Sequence, residues 1–593
     1  MNISAIVLGL VLLFASSVIA SLSIVNKYFS LKKHYNKNFI LLCLLISNMA
    51  CLLSITYLLP IDIWVHKLSI PQTEATTELY YERLCSLLDF FWVFIYWFQF
   101  ILCWVFIPIM MAYVDLKYVA PVSIDDSGSQ NSNATSASTT SVFLFKLKKS
   151  ILVNLKFYGI CLTGFIIAIV YLKTISQTTV NIKPLLISLT HLYSITYTLV
   201  LLAYGLNIVP FYFLKVDFLK QKLSIRSSGN ANTNTLQQDQ TVYCDKETQL
   251  YMKLSKYNDE MSECKIGLVE NYSLIMNPNN CSSTELQELF QSCKREVEAI
   301  FVSIKNDNEL NNHRMNFTVV LRNATLNADE SSALQNLEQL NTCYNKFVTE
   351  YYNFMYAKEK FRETKQLLDK MKLEQPNLSA RNVFSNMLGF ICLLVSLGVA
   401  FVELVPVNFH SMVLSAESNT LLLQTMTFFM YMTVCCLIAI SKFKIADFHL
   451  ISNGSSNPRN TLYYSLYSSR LLTPLCFNFS SLIRASSQQP YTSSFQKKLY
   501  VELYPIVSKL NVILPPIIII AITASFWFNL KDKLIVKLIG RDNYYQLFGH
   551  YTQLSFNSFD FEGSENEDFT QDIEYAIQEG KNLYEQHNSN TFI

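Results

Sequence analysis

Residues 383–405 read VFSNMLGFICLLVSLGVAFVELV, and this stretch decides the fold class of the chain. As an α-helix it would be about 34 Å long, whereas the hydrocarbon core of a bilayer is about 30 Å thick. Its single charged residue, Glu403, lies close to its end. Eight further stretches are long and apolar enough to cross a bilayer: about 3–25, 39–61, 87–113, 151–172, 185–214, 419–441, 461–483 and 506–529. The sequence therefore predicts an all-α polytopic membrane protein with about nine transmembrane helices.

The composition agrees with a membrane protein and argues against several functions. The 593 residues are 51% hydrophobic and only 16% charged, whereas about a quarter of the residues in a soluble protein are charged. A net charge of +2 does not provide the concentrated basic face that nucleic acid requires, so we expect the lipid bilayer and no nucleic acid as partner. The cysteines include no CxxC pair, and the 14 glycines form no phosphate-binding loop. We therefore expect no enzymatic activity, no metal and no cofactor.

The distribution of basic residues predicts the orientation, because cytosolic loops carry an excess of Lys and Arg. The loops after the first, third, fifth and seventh stretches are basic, whereas 406–418 contains neither Lys nor Arg. This places the N-terminus outside and the C-terminus in the cytosol. One loop disagrees, because Arg484, Lys497, Lys498 and Lys509 would lie outside. A re-entrant eighth stretch would remove this conflict and change the parity, so a full crossing and a re-entrant segment are both open.

The pattern along the chain predicts four regions and two disordered insertions. The insertions are rich in Ser, Asn, Thr and Gln, and cannot bury enough apolar area to offset the cost of ordering. The regions are 1–214 with transmembrane helices one to five (disordered at 123–141), 215–382 as a cytosolic helical coiled-coil domain (disordered at 227–240), 383–530 with helices six to nine, and 531–593 as a cytosolic acidic tail.

The long polar block has apolar residues alternately three and four positions apart, a spacing that is typical of coiled coils. One set is Leu250, Leu254, Tyr257, Met261, Cys264 and Leu268, and a longer one is Leu337, Leu340, Tyr344, Phe347, Tyr351, Phe354, Phe361 and Leu368. Two interpretations are open. The helices form either a bundle that packs on itself or a rod that binds partners.

Five polar residues in the predicted spans form the candidate intramembrane site: Arg470, Glu403, Asn478, His191 and Gln99. An unpaired guanidinium at mid-depth costs at least about 2.5–3.5 kcal/mol, so Arg470 should be paired or face water or a ligand. Glu403 is either its acidic partner or a carboxylate that snorkels to the outer surface. For His191 we expect a hydroxyl partner in the bundle rather than a proton relay, and for Gln99 an interhelical hydrogen bond.

Two aspartates lie at the ends of predicted spans. Asp62 follows Pro60 at the end of the second span, and Asp89 opens the third. Both are expected to be helix-end residues rather than ligands, and the negative charge of Asp89 suits a helix N-terminus.

Several strings together resemble the limb-region (LMBR) membrane-protein family, which includes the lipocalin-interacting membrane receptor, and in particular its LMBR domain-containing protein two branch. They are Leu59-Pro60-Ile61-Asp62, Tyr96-Trp97-Phe98-Gln99-Phe100, Tyr204-Gly205-Leu206, Arg470-Leu471-Leu472-Thr473-Pro474-Leu475-Cys476-Phe477-Asn478-Phe479 and Glu579-Gly580-Lys581-Asn582-Leu583. The resemblance implies nine spans, an outside N-terminus, a plasma or endolysosomal membrane, and a receptor-like or trafficking role without catalysis. Its branch is associated with G-protein-coupled-receptor signalling.

Two functions are consistent with these observations. The first is a non-enzymatic membrane receptor or adaptor that binds protein partners through the cytosolic helical domain and forms a homodimer. The second is a small-molecule transporter, or a cofactor of one, with a polar site near Arg470. The second is motivated by Arg470 and Pro474 in the eighth stretch, because interrupted helices commonly line transport sites.

Overall fold

The computed structural model describes residues 3–35, 38–68, 75–118, 139–175, 182–214, 246–277, 284–305, 334, 336–373, 380–405, 418–444, 448–486, 493–499, 505–528, 537 and 567–589. Within these ranges the chain is helical and contains no β-strand; an isolated antiparallel bridge joins Phe29 to Ser455. The predicted all-α class is confirmed.

The helices of the first half are α1 Ile3–Tyr28, α2 Leu31–His34, α3 Phe39–Leu68, α4 Ala75–Ile101, a π-turn Leu102–Phe106, α5 Ile107–Asp115, α6 Thr139–Ile175 and α7 Ile182–Leu214. The polar block contains α8 Lys246–Met276, α9 Thr284–Lys305 and α10 Leu337–Leu373. The remaining helices are α11 Ala380–Leu404, α12 Ser418–Lys442, α13 Pro458–Ser469, α14 Leu472–Ser486, α15 Ser494–Leu499, α16 Pro505–Phe528 and α17 Glu567–Ser589.

Each of the nine predicted spans coincides with helical residues. Seven described helical segments are long and apolar enough to cross a bilayer, and the apolar part of α16, Leu510–Phe526, is shorter. The eighth stretch is broken into α13 and α14. The break has a local cause, because Pro474 has no N–H and its ring clashes with the carbonyl four residues earlier, which belongs to Arg470. The chain makes a tighter turn there, with the N–H of Leu471 donating to the carbonyl of Ser468 at 3.1 Å.

The two halves of the broken helix pack along α3. In α13, Ser465 accepts hydrogen bonds from the Asn48 amide through its carbonyl at 2.8 Å and its hydroxyl at 2.6 Å. In α14, the Ser480 hydroxyl accepts a hydrogen bond from the Gln496 amide at 2.7 Å. The neighbouring Phe495 donates its backbone N–H to Asp62. Asn48 and Asp62 are about 21 Å apart along α3 at 1.5 Å per residue. The contacts therefore favour a broken helix that crosses the bilayer completely, rather than a re-entrant segment.

Helix α7 joins the spans on either side of the polar block. Four helices that follow the block pack against α7, namely α11, α12, α14 and α16. The close approach of α7 to α12 depends on Gly205, since a Cβ there would lie 2.3 Å from the carbonyl oxygen of Cys435. In contrast, α6 packs mainly against α5, and the described side chains of its apolar segment are largely exposed. Small residues at interhelical contacts are typical of membrane bundles, where close packing replaces the hydrophobic effect.

Helices α8, α9 and α10 form a polar helical domain, a name used here for these three helices. The predicted apolar positions Leu254, Leu268, Phe347, Phe354 and Leu368 are all buried between α8 and α10. The seam is thus covered within the chain, as in the interpretation of a bundle that packs on itself. A coiled-coil rod with an unpartnered seam is not observed among the described residues.

The acidic tail contributes α17, which packs against α8. Ser255 donates to Glu579 Oε2 at 2.7 Å, and the Tyr584 hydroxyl donates to Asp369 Oδ1 at 2.7 Å. Gly580 lies against the backbone of α8, where an added Cβ would be 2.2 Å from the carbonyl oxygen of Tyr251. Helix α17 therefore docks on the polar helical domain of its own chain.

The two predicted disordered insertions fall mostly outside the described residues. Helix α6 begins at Thr139, so residues 139–141 of the first insertion are helical, contrary to the prediction. The remainder of that insertion and all of 227–240 lie outside the described residues.

Candidate functional site: polar side chains between the transmembrane helices

Glu403 and Asn478 form a buried pair between α11 and α14. Asn478 donates its amide N–H to Glu403 Oε1 at 2.6 Å, and the two side chains are 5% and 2% exposed. The second oxygen, Oε2, has no hydrogen-bond partner among the described residues. The expectation that Glu403 snorkels to the outer surface or pairs with Arg470 is wrong. Its carboxyl group points into the bundle, because an amide was available on the facing helix.

Arg470 lies at the helix break and caps the C-terminus of α13. Its side chain is exposed at the side of the bundle, with the guanidinium carbon 5.9 Å from the Tyr467 ring. No acidic side chain in the described part of the chain is at ion-pair distance from this guanidinium. Glu403 pairs instead with Asn478, about 12 Å further along the helix direction at 1.5 Å per residue. An ion pair between Arg470 and Glu403, one of the alternatives for both residues, is therefore absent.

Gln99 makes the interhelical hydrogen bond expected of it. Its amide donates to Asn48 Oδ1 at 2.5 Å, and Asn48 in turn donates to Ser465. All three residues are buried. This chain links α4, α3 and α13 and fixes the register of the broken helix against its neighbours.

His191 is half-buried between α7, α14 and α16. A ring nitrogen lies 3.1 Å from the Asn511 amide nitrogen, and the imidazole packs edge-on against the Phe477 ring at 4.2 Å. The partner is an amide rather than the predicted hydroxyl. The structure thus does not bring the five candidates into one cluster: Glu403 and Asn478 form one pair, and Gln99, His191 and Arg470 lie in three separate places.

The residue that sequence reasoning missed is Asp62. It is 0% exposed and does not end a helix, because α3 continues to Leu68. Its carboxylate accepts hydrogen bonds from Trp92 Nε1 at 3.0 Å and from the backbone N–H groups of Ser494 and Phe495 at 3.0 and 2.9 Å. His66, one turn later, lies 3.1 Å away. The spacing of Asp62 and His66 four residues apart on an apolar helix was the available signal, because such residues share a helix face.

A joint between α5 and the polar helical domain is the second polar assembly. Tyr118 follows α5, and one side chain, that of Asn341, bonds both of its backbone groups. The N–H of Tyr118 donates to Asn341 Oδ1 at 2.8 Å, and Asn341 Nδ2 donates to the Tyr118 carbonyl at 2.6 Å. Nearby, Asn345 donates to the carbonyl of Asp115 at 2.9 Å.

Charged groups reinforce this joint. The Tyr118 hydroxyl donates to Glu296 Oε2 at 2.7 Å, and Lys117 forms an ion pair with Glu296 Oε1. Burial acts to raise the pKa of Glu296, yet the hydrogen bonds from Lys117, Tyr118 and Tyr344, together with the Lys117 charge, hold it below its ordinary value. The charged form of Glu296 therefore stabilises the joint at pH values above 4.5, the ordinary pKa of a glutamate. This stabilisation is lost as the pH falls through the lowered pKa.

Further contacts join the polar helical domain to the loop after α12. Lys444 pairs with Glu260 at 3.2 Å, a ring nitrogen of His449 lies 3.2 Å from the Tyr352 carbonyl, and Ser452 donates to Glu363 at 3.2 Å. The domain is therefore attached to the bundle from two sides. Among the described residues, no group of three or more His, Cys, Asp or Glu side chains is arranged to hold a metal ion.

Comparison with known proteins agrees with the resemblance seen in the motifs. The model of the LMBR1-like membrane protein family matches residues 4–129 and 134–531, which include all nine predicted spans and the polar helical domain. No curated protein and no solved structure matches the chain. The chain belongs to the LMBR1-like membrane protein family.

Proposed function

We propose that the protein is a non-enzymatic multi-pass membrane receptor or adaptor that acts, through its polar helical domain, on receptor signalling of the G-protein-coupled kind or on membrane trafficking. The observation that carries the proposal is the joint at Tyr118, where one buried side chain, Asn341, bonds both backbone groups of the residue that leaves the membrane helix.

A joint of this kind couples the spans to the domain. A tilt or shift of α5 displaces Tyr118, and α10 must follow because Asn341 and Asn345 both hold this segment. Helix α10 has 37 residues and is about 55 Å long at 1.5 Å per residue. Small displacements at its membrane end are thus transmitted to surfaces far from the bilayer. Movements of packed helices of this kind are a common form of switching.

The Lys/Arg distribution supports a cytosolic position for the polar helical domain, where protein partners would meet it. We also propose a plasma-membrane or endolysosomal location and a homodimer, as the family resemblance and the sequence suggest. The outer surfaces of α9 and α10 are hydrophilic, which suits transient contacts with soluble partners.

The test uses cells that lack the protein and a reporter for a receptor-stimulated second messenger. Loss of the protein should change the stimulated response, and the full-length chain should restore it. Asn341→Ala should fail to restore it at equal abundance in the membrane, because the Tyr118 backbone groups lose their partner. The matched control is Thr342→Ala, since the exposed Thr342 hydroxyl, among the described residues, bonds only the Glu338 carbonyl of its own helix.

Two results would count against the proposal. One is an unchanged stimulated response, together with unchanged receptor traffic, in cells that lack the protein. The other is full restoration by Asn341→Ala, which would show that the joint does not carry the function.

A second candidate function is transport of a small molecule, or assistance to a transporter. It is favoured by the helix break, which leaves Arg470 exposed at the side of the bundle without an acidic partner among the described residues. Substrate sites of transporters commonly lie at interrupted helices near the bilayer midplane.

A further inference from the structure

The depth of Arg470 follows from the contacts of the broken helix with α3. Ser465, five residues before Arg470, bonds Asn48 and so lies at its level. Ser480, ten residues after Arg470, bonds Gln496, and the neighbouring Phe495 bonds Asp62, so Ser480 lies near the level of Asp62. Arg470 is therefore between two levels of the second span that are about 21 Å apart. A side chain there is inside the hydrocarbon region rather than at a membrane surface.

The surroundings of the guanidinium are aromatic and carry hydroxyl groups. The Tyr467 ring is 5.9 Å from the guanidinium carbon, and Tyr463 stacks on Tyr467 with ring centroids 6.1 Å apart. The Tyr197 hydroxyl donates to the Tyr467 carbonyl at 3.2 Å, so α7 contacts α13 at the residue whose ring lies beside the guanidinium. Arg470 thus faces the seam between α13 and α7.

The same face of α7 offers an apolar surface beside this charge. Leu189, Tyr193 and Val200 are exposed at helical spacing around Tyr197, so they form a stripe that opens to the side of the bundle. A hydrocarbon chain that follows this stripe would bring its polar end to Arg470. A small soluble anion would gain nothing from the stripe.

The charge of Arg470 has no compensation within the described chain. A guanidinium is always protonated and carries donors in a planar fork that matches carboxylate and phosphate oxygens. A positive charge held in hydrocarbon recruits a partner of opposite sign, since isolated charges are strongly disfavoured there.

We propose that Arg470 binds the anionic headgroup, carboxylate or phosphate, of a membrane lipid whose hydrocarbon chain lies along Leu189, Tyr193 and Val200. The site does not depend on the adaptor function and deepens the second candidate by naming a ligand class.

Photolabelling of the purified full-length protein in neutral-lipid nanodiscs tests the site. The probes are a long-chain fatty acid and a phosphatidic acid that carry a diazirine in the chain, and the long-chain alcohol with the same diazirine as the neutral control. In the native chain, at least one anionic probe should label peptides that contain residues 189–200 about tenfold more than the alcohol, a ratio expected for a hydrogen bond to a charged group. Whether the fatty acid or the phosphatidic acid labels more distinguishes the two headgroups.

The variants connect the label to the side chain. Arg470→Gln should lose the preference for the anionic probes, whereas Arg470→Lys should keep more of it than Arg470→Gln, because the charge remains without the planar fork. The matched control, Arg459→Gln, removes a cation from the same helix and should leave labelling unchanged.

Three results would overturn the inference: equal labelling by the anionic probes and the alcohol in the native chain, unchanged labelling of folded Arg470→Gln, and loss of the label when inorganic phosphate is added at millimolar concentration. The last would assign the site to a small soluble anion. The comparison of probes in the native chain decides the matter even when a variant does not fold. It reports binding alone, so its failure is separate from a failure of the second-messenger test.

Discussion

Asp62 and Arg470 are both charged residues in apolar helices, yet the bundle treats them in opposite ways. Asp62 is fully buried and accepts hydrogen bonds from an indole and two backbone N–H groups. Arg470 is exposed at the side of the bundle and has no acidic partner among the described residues. A buried charge is tolerated when its partners are complete, and an incomplete set points to a ligand. The difference between the two residues therefore identifies Asp62 as a structural charge and supports the proposal that Arg470 binds a ligand.

Glu403 lies between these extremes. One of its oxygens accepts a hydrogen bond from Asn478, whereas the other has no partner among the described residues. Asp62, Glu403 and Arg470 therefore form a series in which the fold supplies progressively fewer partners for the charged group. Stability should follow the same ranking when each is removed.

The largest effect is expected from Asp62→Ala. The indole of Trp92 and the N–H groups of Ser494 and Phe495 would lose their acceptor in a buried position. We expect unfolding to become easier by about 3–5 kcal/mol, measured as a lower thermal unfolding midpoint of the detergent-purified chain.

The matched control for that experiment is Asp89→Ala. Asp89 pairs with Lys498 at 3.4 Å near the protein surface, and partly exposed ion pairs contribute only about 0–1 kcal/mol. A loss from Asp62→Ala no larger than that from Asp89→Ala would remove the basis of the comparison.

A second test concerns whether the contacts of α17 with α8 are as closely fitted as those of Asp62. In Gly580→Ala the new methyl group would lie 2.2 Å from the Tyr251 carbonyl oxygen, so α17 must move away from α8. Overpacking of this kind costs about 1–3 kcal/mol. The expected result is faster cleavage of the tail by added protease and faster hydrogen exchange across Glu567–Ser589.

The control for this substitution is Gly159→Ala, since a Cβ at Gly159 meets nothing within 4 Å. Equal protease resistance of the tail in Gly580→Ala and in the native chain would show that α17 does not dock as closely as the structure indicates.

Asp259, whose pKa is raised to about 6 by burial and by the neighbouring Glu579 charge, should make this docking tighter as pH falls through that value.

The smallest effect on stability is expected from Arg470→Gln. The exposed guanidinium makes no ion pair with a described residue, so the free energy of unfolding, measured from the thermal unfolding midpoint, should fall by no more than about 0.5 kcal/mol. A destabilisation close to that of Asp62→Ala would reveal a structural partner for Arg470 and would remove the contrast between the two charges.

Sequence reasoning located the helices well and their polar contacts poorly. The predicted spans fall on described helices, of which seven are long and apolar enough to cross a bilayer, and the polar block is helical as predicted. These features could be predicted because hydrophobic length, period and proline act through neighbouring residues. The form of the eighth stretch was left open by the sequence. The disordered assignment of 139–141 was wrong because those residues continue α6. Glu403 was misread because its partner, Asn478, lies on another helix 75 residues later in the chain.

The sequence by itself determined that this is a helical membrane protein of the LMBR1-like family, with a polar helical domain between its two groups of spans. Only the tertiary structure decided which charges are satisfied. The backbone donors of Asp62 lie 432 and 433 residues further along the chain, a distance over which no local pattern can pair them. Hydrogen-bond partners inside a bundle are chosen by how whole helices pack, and that choice left Asp62 complete and Arg470 open.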